Sequence, residues 1–189
     1  MRLTATGNQP VGPFYHIILD RMQIPDVAGP GAGPGGITIR GRILNADHAP
    51  VPDGMIETWQ ANVHGKYAHP ADTQDKPMQE GFVGFGRVVT DSNGAFSLTT
   101  VKPGRVPGPG GVMQAPHISV SVFMPGLLQR AITRIYFPDE PANAEDPVLR
   151  LVQDSRRATL VAKDVSGGGA LLEWNVILGG EGETIFFDL

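Results

Sequence analysis

The sequence contains no cysteine. Disulfides, iron–sulfur clusters and thiol catalysis are therefore excluded, and a reducing compartment is compatible with the chain. Charge is scarce as well: charged residues make up 18%, and the net charge is -4 with histidine neutral. Such a surface lacks the basic footprint that nucleic acid requires, so any anionic ligand must be met by individually placed Arg or Lys side chains. No stretch reaches the roughly 18 apolar residues of a membrane helix. The opening MRLTATGNQPVGPFYHIILD has no apolar run after a basic start, so no secretory leader is expected. A soluble cytoplasmic protein with neither nucleic-acid nor membrane partners is the expectation. There is no G-x-S-x-G nucleophile elbow, and the Gly-rich runs at 29–36 and 104–111 lack the Lys-Ser/Thr of a phosphate cradle. Those runs read as turns. Glu181 and Glu183 near the C-terminus read as a solvated or ion-paired turn rather than an acid–base dyad.

What is present is enough for a core. The chain has 189 residues, 41% of them hydrophobic, which fits one domain spanning 1–189. Its 25 glycines and 17 prolines fall in clusters between apolar runs, which implies many tight turns. Residues 1–25 are too irregular for a firm helix and look like an arm lying across something. Residues 26–36, DVAGPGAGPGG, form a Gly/Pro linker, so 1–36 is N-terminal arm and linker. Strands are then expected at 37–45, 54–62, 85–91, 95–101, 117–124, 131–137, 159–163, 171–178 and 184–189, where β-branched and aromatic residues alternate with polar ones. Ser92-Asn93-Gly94 suits a tight hairpin between the third and fourth strands. The one good short-helix candidate is 145–153, with acids before it and Pro147 in its first turn. The pattern predicts an all-β fold, an antiparallel β-sandwich.

Five histidines are available, His16, His48, His64, His69 and His117. His117 and position 119 share one face of a strand. A His-x-His pair there would clip a metal, but the second position is Ser119, a poor substitute for imidazole. The alternative is an ordinary hydrogen-bonded strand histidine. His64, Tyr67 and His69, with Asp72 close behind, lie around Gly65 and match no zinc-helix spacing, which favours a polar loop. Arg134 sits inside the apolar strand 131–137. It must either find a carboxylate within the sheet or be solvated in a cleft.

Several segments then match one family together. They are Gly12-Pro13-Phe14-Tyr15, Glu57-Thr58-Trp59-Gln60-Ala61-Asn62 with Gly65-Lys66-Tyr67, and Phe85-Gly86-Arg87 with Thr90–Gly94. Val101-Lys102-Pro103-Gly104, Ala115-Pro116-His117-Ile118-Ser119, Thr133-Arg134-Ile135-Tyr136-Phe137 and Gly182–Asp188 follow in order. In order and spacing this resembles the intradiol ring-cleavage dioxygenase family, in the protocatechuate 3,4-dioxygenase branch built from alpha and beta subunits. The resemblance covers nearly the whole chain and favours the alpha side.

Members of that family hold ferric iron with two tyrosinates and two histidines. The resemblance places Tyr67 at the first tyrosine, Val106 at the second, His117 at the first histidine and Ser119 at the second. Valine has no donor atom, so these are degenerate iron-ligand positions, and the chain alone is expected to bind no metal and to be inactive. The resemblance implies a hetero-oligomer in which Fe(III) belongs to the protocatechuate 3,4-dioxygenase beta subunit. The substrate would be a small aromatic carboxylate, protocatechuate, cleaved with O2 to 3-carboxy-cis,cis-muconate. Gly12, Pro13 and Arg134 would line the substrate pocket at the alpha–beta boundary. Two other readings remain: a standalone β-sandwich binding module, and a single-chain enzyme whose iron uses His64, Tyr67, His69 and His117. The aromatic segments Phe14-Tyr15 and Ile185-Phe186-Phe187 are expected to contribute to a subunit interface.

Overall fold

The computed structural model describes residues 7–12, 14–29 and 36–188. Pro13 and most of the expected linker lie outside the described residues. The elements, in chain order, are α1 (Tyr15–Leu19), β1 (Gly36–Leu44), β2 (Met55–Trp59), β3 (Phe85–Val89), β4 (Ala95–Val101), β5 (Val106–Pro107), β6 (Met113–Gln114), β7 (His117–Phe123), β8 (Ala131–Tyr136), α2 (Asp154–Arg157), β9 (Lys163–Asp164), β10 (Leu171–Glu173) and β11 (Val176–Ile177). None of the helices is long and apolar enough to cross a membrane.

Two sheets carry the fold. In the first, β1 pairs with β4 on one side and, in parallel, with β10 and then β11 on the other. The expected strand 171–178 is therefore broken at Trp174 and Asn175. The break is held because the Trp174 amide donates to the Arg40 carbonyl at 2.9 Å. The second sheet is wholly antiparallel, in the order β3-β2-β7-β8. Alternation explains both. Ile37, Ile39 and Ile43 of β1 are buried between exposed or half-exposed neighbours, as are Val120 and Val122 of β7, while Ile118 follows the buried His117. These side chains meet between the sheets in one apolar cluster that also contains Ile56, Leu98, Ile135 and Trp174. Each such burial stabilises the fold by about 1.5–3 kcal/mol.

The turn at Asp91–Gly94 is tight, as the sequence predicts, but it does not join a hairpin. β3 pairs with β2 and β4 with β1, so this turn carries the chain from one sheet to the other. The Asp91 carboxylate accepts from the amides of Asn93 and Ala95. Gly94 has φ 67°, and a Cβ there would lie 2.7 Å from the Ile43 carbonyl oxygen. Only glycine satisfies both constraints.

The arm is helical where none was predicted, through α1 and a 3-10 turn at Asp20–Met22. It then caps both sheets. Ile24 exchanges backbone hydrogen bonds with Arg87, and Pro25 and Val27 bond to Thr99. The helix expected at 145–153 is replaced by 3-10 turns at Pro141–Glu145 and Leu149–Leu151, with α2 following. Asp146 is the cause: its Oδ1 takes the amide protons of Val148 and Leu149 at 2.9 and 2.8 Å, which competes with an α-helical ladder. The expected strand 159–163 begins as a 3-10 turn, Ala158–Leu160. The expected strand 184–189 makes a single bridge, Phe187 to Ile132. Ile185 and Phe187 pack on a second cluster around Tyr136 and Leu160, and Phe186 packs on the main core. The tail's aromatic area is thus covered largely within the chain.

Candidate functional site

Inner positions of β2, β7 and β8 fill the core, so their outer positions collect on the opposite face of the second sheet. Register places Ser119 opposite Trp59 on one side and opposite Arg134 on the other; His117 is opposite Tyr136. Opposed residues have Cβ atoms about 4.5–5.5 Å apart. One patch of sheet therefore carries Trp59, His117, Ser119, Arg134 and Tyr136 together.

Tyr67 reaches this face from a loop. Asn62 organises it: the side-chain oxygen accepts from the amides of His64 and Lys66 at 2.9 and 3.0 Å, and the side-chain nitrogen donates to the Pro77 carbonyl. Gln60, fully buried, donates to the Val101 carbonyl and accepts from the Thr100 hydroxyl at 2.6 Å. The Asp72 carboxylate takes the Tyr67 amide proton at 2.8 Å. Gly65 has φ 75°, and a Cβ there would collide with the Arg105 carbonyl at 2.1 Å, so the loop is pressed against the residue preceding Val106. The Tyr67 ring ends stacked on Trp59, with His69 edge-on to the same indole. A cavity of about 600 Å³ opens there, lined by Trp59, Tyr67, His69, Asp72, Gln74 and Pro107 among others.

Val106 is buried and pairs with Gln114 in the short β5–β6 ribbon. Gln114 is the link to the sheet, because Arg134 Nη1 donates to its Oε1 at 2.7 Å. The same Nη1 donates to the Tyr136 hydroxyl at 3.3 Å, and that hydroxyl donates to Asp146 Oδ1 at 3.0 Å. Asp146 is fully buried, and its other oxygen accepts from the Ala115 amide at 2.8 Å. Among the described residues Arg134 has no carboxylate partner at ion-pair distance. Its contacts are neutral, so the within-sheet salt bridge is not what this chain builds.

The electrostatics follow from burial and this cation. Burial pushes the Tyr67 phenol up, while the positive charge of Arg134 pulls it back and Asp72 adds to the rise. His117 is pushed down to about 4, by burial first and by Arg134 second. Its Nδ1 lies 2.8 Å from the Ala115 carbonyl oxygen, so a neutral ring donates from Nδ1. Burial also raises the Tyr136 phenol, against the pull of Arg134.

Tyr67, Val106, His117 and Ser119, the positions that the resemblance aligns with iron ligands, thus lie on or beside the sheet face that carries Arg134. They do not fit a ferric ion. Val106 offers no donor, Ser119 offers a neutral hydroxyl, and the charge already present at the centre is positive. Among the described residues no three His, Cys, Asp or Glu side chains converge on a possible cation, so His64, Tyr67, His69 and His117 do not form the alternative single-chain site. Gly12 is exposed and its carbonyl accepts the Tyr15 amide at 3.1 Å; Pro13 lies outside the described residues. Gln114, Tyr136 and Asp146 were missed from sequence, since their roles arise from contacts between separate strands and turns. A Tyr at a strand end and an Asp before Pro carry no distinguishing local signal.

A sequence profile of the family described as Dioxygenase matches residues 16–180. The protocatechuate 3,4-dioxygenase alpha chain of Burkholderia cepacia is 40% identical over 99% of this chain and 98% of its own length. The beta chain from the same organism is 33% identical over 78% of this chain and 66% of its own. Among solved structures, the dioxygenase domain of a carbohydrate-binding fusion protein from Streptomyces sp. SirexAA-E superposes with a TM-score of 0.61 at 24% identity, covering 84% of this chain and 88% of that one. Sequence profile, end-to-end relatives and shared fold agree: this chain belongs to the dioxygenase family.

Proposed function

We propose that the chain is the alpha subunit of a protocatechuate 3,4-dioxygenase, working with a beta subunit that holds the ferric iron. The observation that carries this reading is a conjunction. The match to an alpha chain runs end to end, while two of the four positions that the resemblance aligns with iron ligands carry Val106 and Ser119. A chain that keeps the fold and lacks the donors is suited to completing a pocket on a homologue that has them. A standalone binding module leaves the end-to-end match to a two-chain enzyme without a reason.

In this reading the substrate is a dihydroxybenzoate whose carboxylate needs a cationic partner. Arg134 is suited to that task. Nη1 is fixed by Gln114 and Tyr136, which leaves Nε and Nη2 without a partner among the described residues. That edge matches a carboxylate in two-point geometry. Gly12, where a Cβ would meet nothing within 4 Å, leaves room for a ligand or a partner beside the arm.

Co-expression tests the reading. A homologue with an intact Tyr/Tyr/His/His set is expected to co-purify with this chain, with iron in proportion to the homologue and ring cleavage only in the mixture. In that assembly Arg134→Ala is expected to raise KM for protocatechuate about 10- to 100-fold, the worth of a charge-assisted hydrogen-bonded pair, with iron content unchanged. Stoichiometric iron and turnover in this chain purified alone would overturn the assignment.

A further inference from the structure

The guanidinium of Arg134 lies among the four degenerate positions. Ser119 is its register partner across β7 and β8, and His117 stands two residues away on the same face. Gln114, which accepts from Nη1 at 2.7 Å, is the register partner of Val106. Tyr67 stacks on Trp59, and Trp59 is the register partner of Ser119 on the other side. Ser119 thus adjoins the cationic group directly, His117 and Val106 are one neighbour away through Tyr136 and Gln114, and Tyr67 lies further along the same face, within reach of its charge.

We infer that Arg134 takes the place of the metal cation in this chain and is itself the barrier to metal binding there. The inference rests on the ligand-position reading above, and it goes further: the missing donors are not the whole reason for the absence of a metal site. A guanidinium is a permanent cation. Its Nη1 occupies oxygen lone pairs of Gln114 and Tyr136, and Tyr136 is oriented in turn by the buried Asp146 carboxylate. A metal ion entering the cluster would face a fixed like charge and would have to break that relay. The inward edge of the guanidinium serves the cluster, and the opposite edge remains for the substrate carboxylate.

Donor restoration alone is therefore insufficient. The full-length chain carrying V106Y and S119H is expected to bind Fe(III) or Co(II) at least tenfold more weakly than the chain carrying V106Y, S119H and R134Q. Iron per chain and a tyrosinate-to-iron charge-transfer band are the readouts, with circular dichroism to show that both chains fold. A double variant that binds as tightly as the triple, or a folded triple variant that binds nothing, overturns the inference. If the triple variant fails to fold, R134Q and R134K in the otherwise unaltered chain decide the matter. Co(II) binding is expected to strengthen at least threefold in R134Q relative to R134K, and equal affinities overturn the inference. Tight iron binding by the unaltered chain would instead remove the subunit reading on which it rests, so the two failures are distinguishable.

Discussion

Trp59 and Tyr67 lie parallel and offset, with ring centroids 5.9 Å apart and planes 5° from parallel. One is the last residue of β2 and the other belongs to a loop, so the stack fastens that loop to the sheet. Offset aromatic pairs contribute about 0.5–1.5 kcal/mol beyond the area they bury. Trp59→Ala also removes a half-buried indole, and the expected loss is about 2–3 kcal/mol, below the roughly 3–5 kcal/mol of a fully buried aromatic. Tyr67→Phe keeps the ring and is expected to change stability by less than about 0.5 kcal/mol. Urea unfolding measures both; equal losses would show that the phenol oxygen, not the stack, secures the loop.

Asp146 organises more of the site than any residue visible in the sequence. Its two oxygens accept from the Ala115, Val148 and Leu149 amides and from the Tyr136 hydroxyl. Asp146→Ala leaves two buried N–H groups and one part-buried one without an acceptor, and the expected cost is about 3 kcal/mol or more. Asp146→Asn keeps one acceptor oxygen for the Oδ1 group of bonds but turns an amide donor toward the Ala115 N–H, so its cost is expected to be smaller. The order Ala worse than Asn, read by thermal or urea unfolding, is the test; the reverse order contradicts the hydrogen-bond arrangement.

Strands with clear alternation were legible: β1, β4, β7 and β8 fall where the period-two pattern puts them. Pairing was not, because turn residues such as Asn93-Gly94 specify a local backbone path and not the sheet the next strand joins. The segment around Pro147 failed as a helix for a related reason. Its apolar spacing suits a helix, but the Asp146 side chain competes for the first amides. At the site, His117, Ser119, Tyr67 and Arg134 stood out from their own local patterns, whereas Val106 and the grouping of these positions came only through the ordered family resemblance. That Arg134 bonds to Gln114 and Tyr136 rather than to a carboxylate depends on the β5–β6 ribbon folding against the sheet, which no local pattern encodes.

His117 makes stability depend on pH. In the unfolded chain it binds a proton below its ordinary value of 6.5, whereas in the fold it does so only below about 4. Between those values the unfolded state carries the extra proton, so stability falls as pH drops through this window. The slope is about 1.4 kcal/mol per pH unit for one proton, or on the order of 3 kcal/mol in all. His117→Gln is expected to flatten that part of the profile. Urea unfolding at pH 4.5, 5.5 and 7 compares the two chains, and parallel profiles would show that this ring is not held neutral.

The arm presents the clearest contact surface. Phe14, Ile17, Ile18 and Met22 are 71%, 56%, 68% and 52% exposed, and their spacing puts them along one side of α1 and the turn that follows. The arm is nonetheless anchored. The Tyr15 hydroxyl donates to the Asp53 carbonyl, and Ile24 bridges Arg87. An apolar stripe held in a fixed position suits a partner surface better than solvent. Ile18→Asp is expected to leave the chain's own stability within about 0.5 kcal/mol, since the side chain is already exposed. Association with the proposed beta subunit should weaken at least tenfold, as sedimentation of the mixed chains would read, while Ile18→Leu should associate normally. Unaltered association of the aspartate variant would move the interface away from α1.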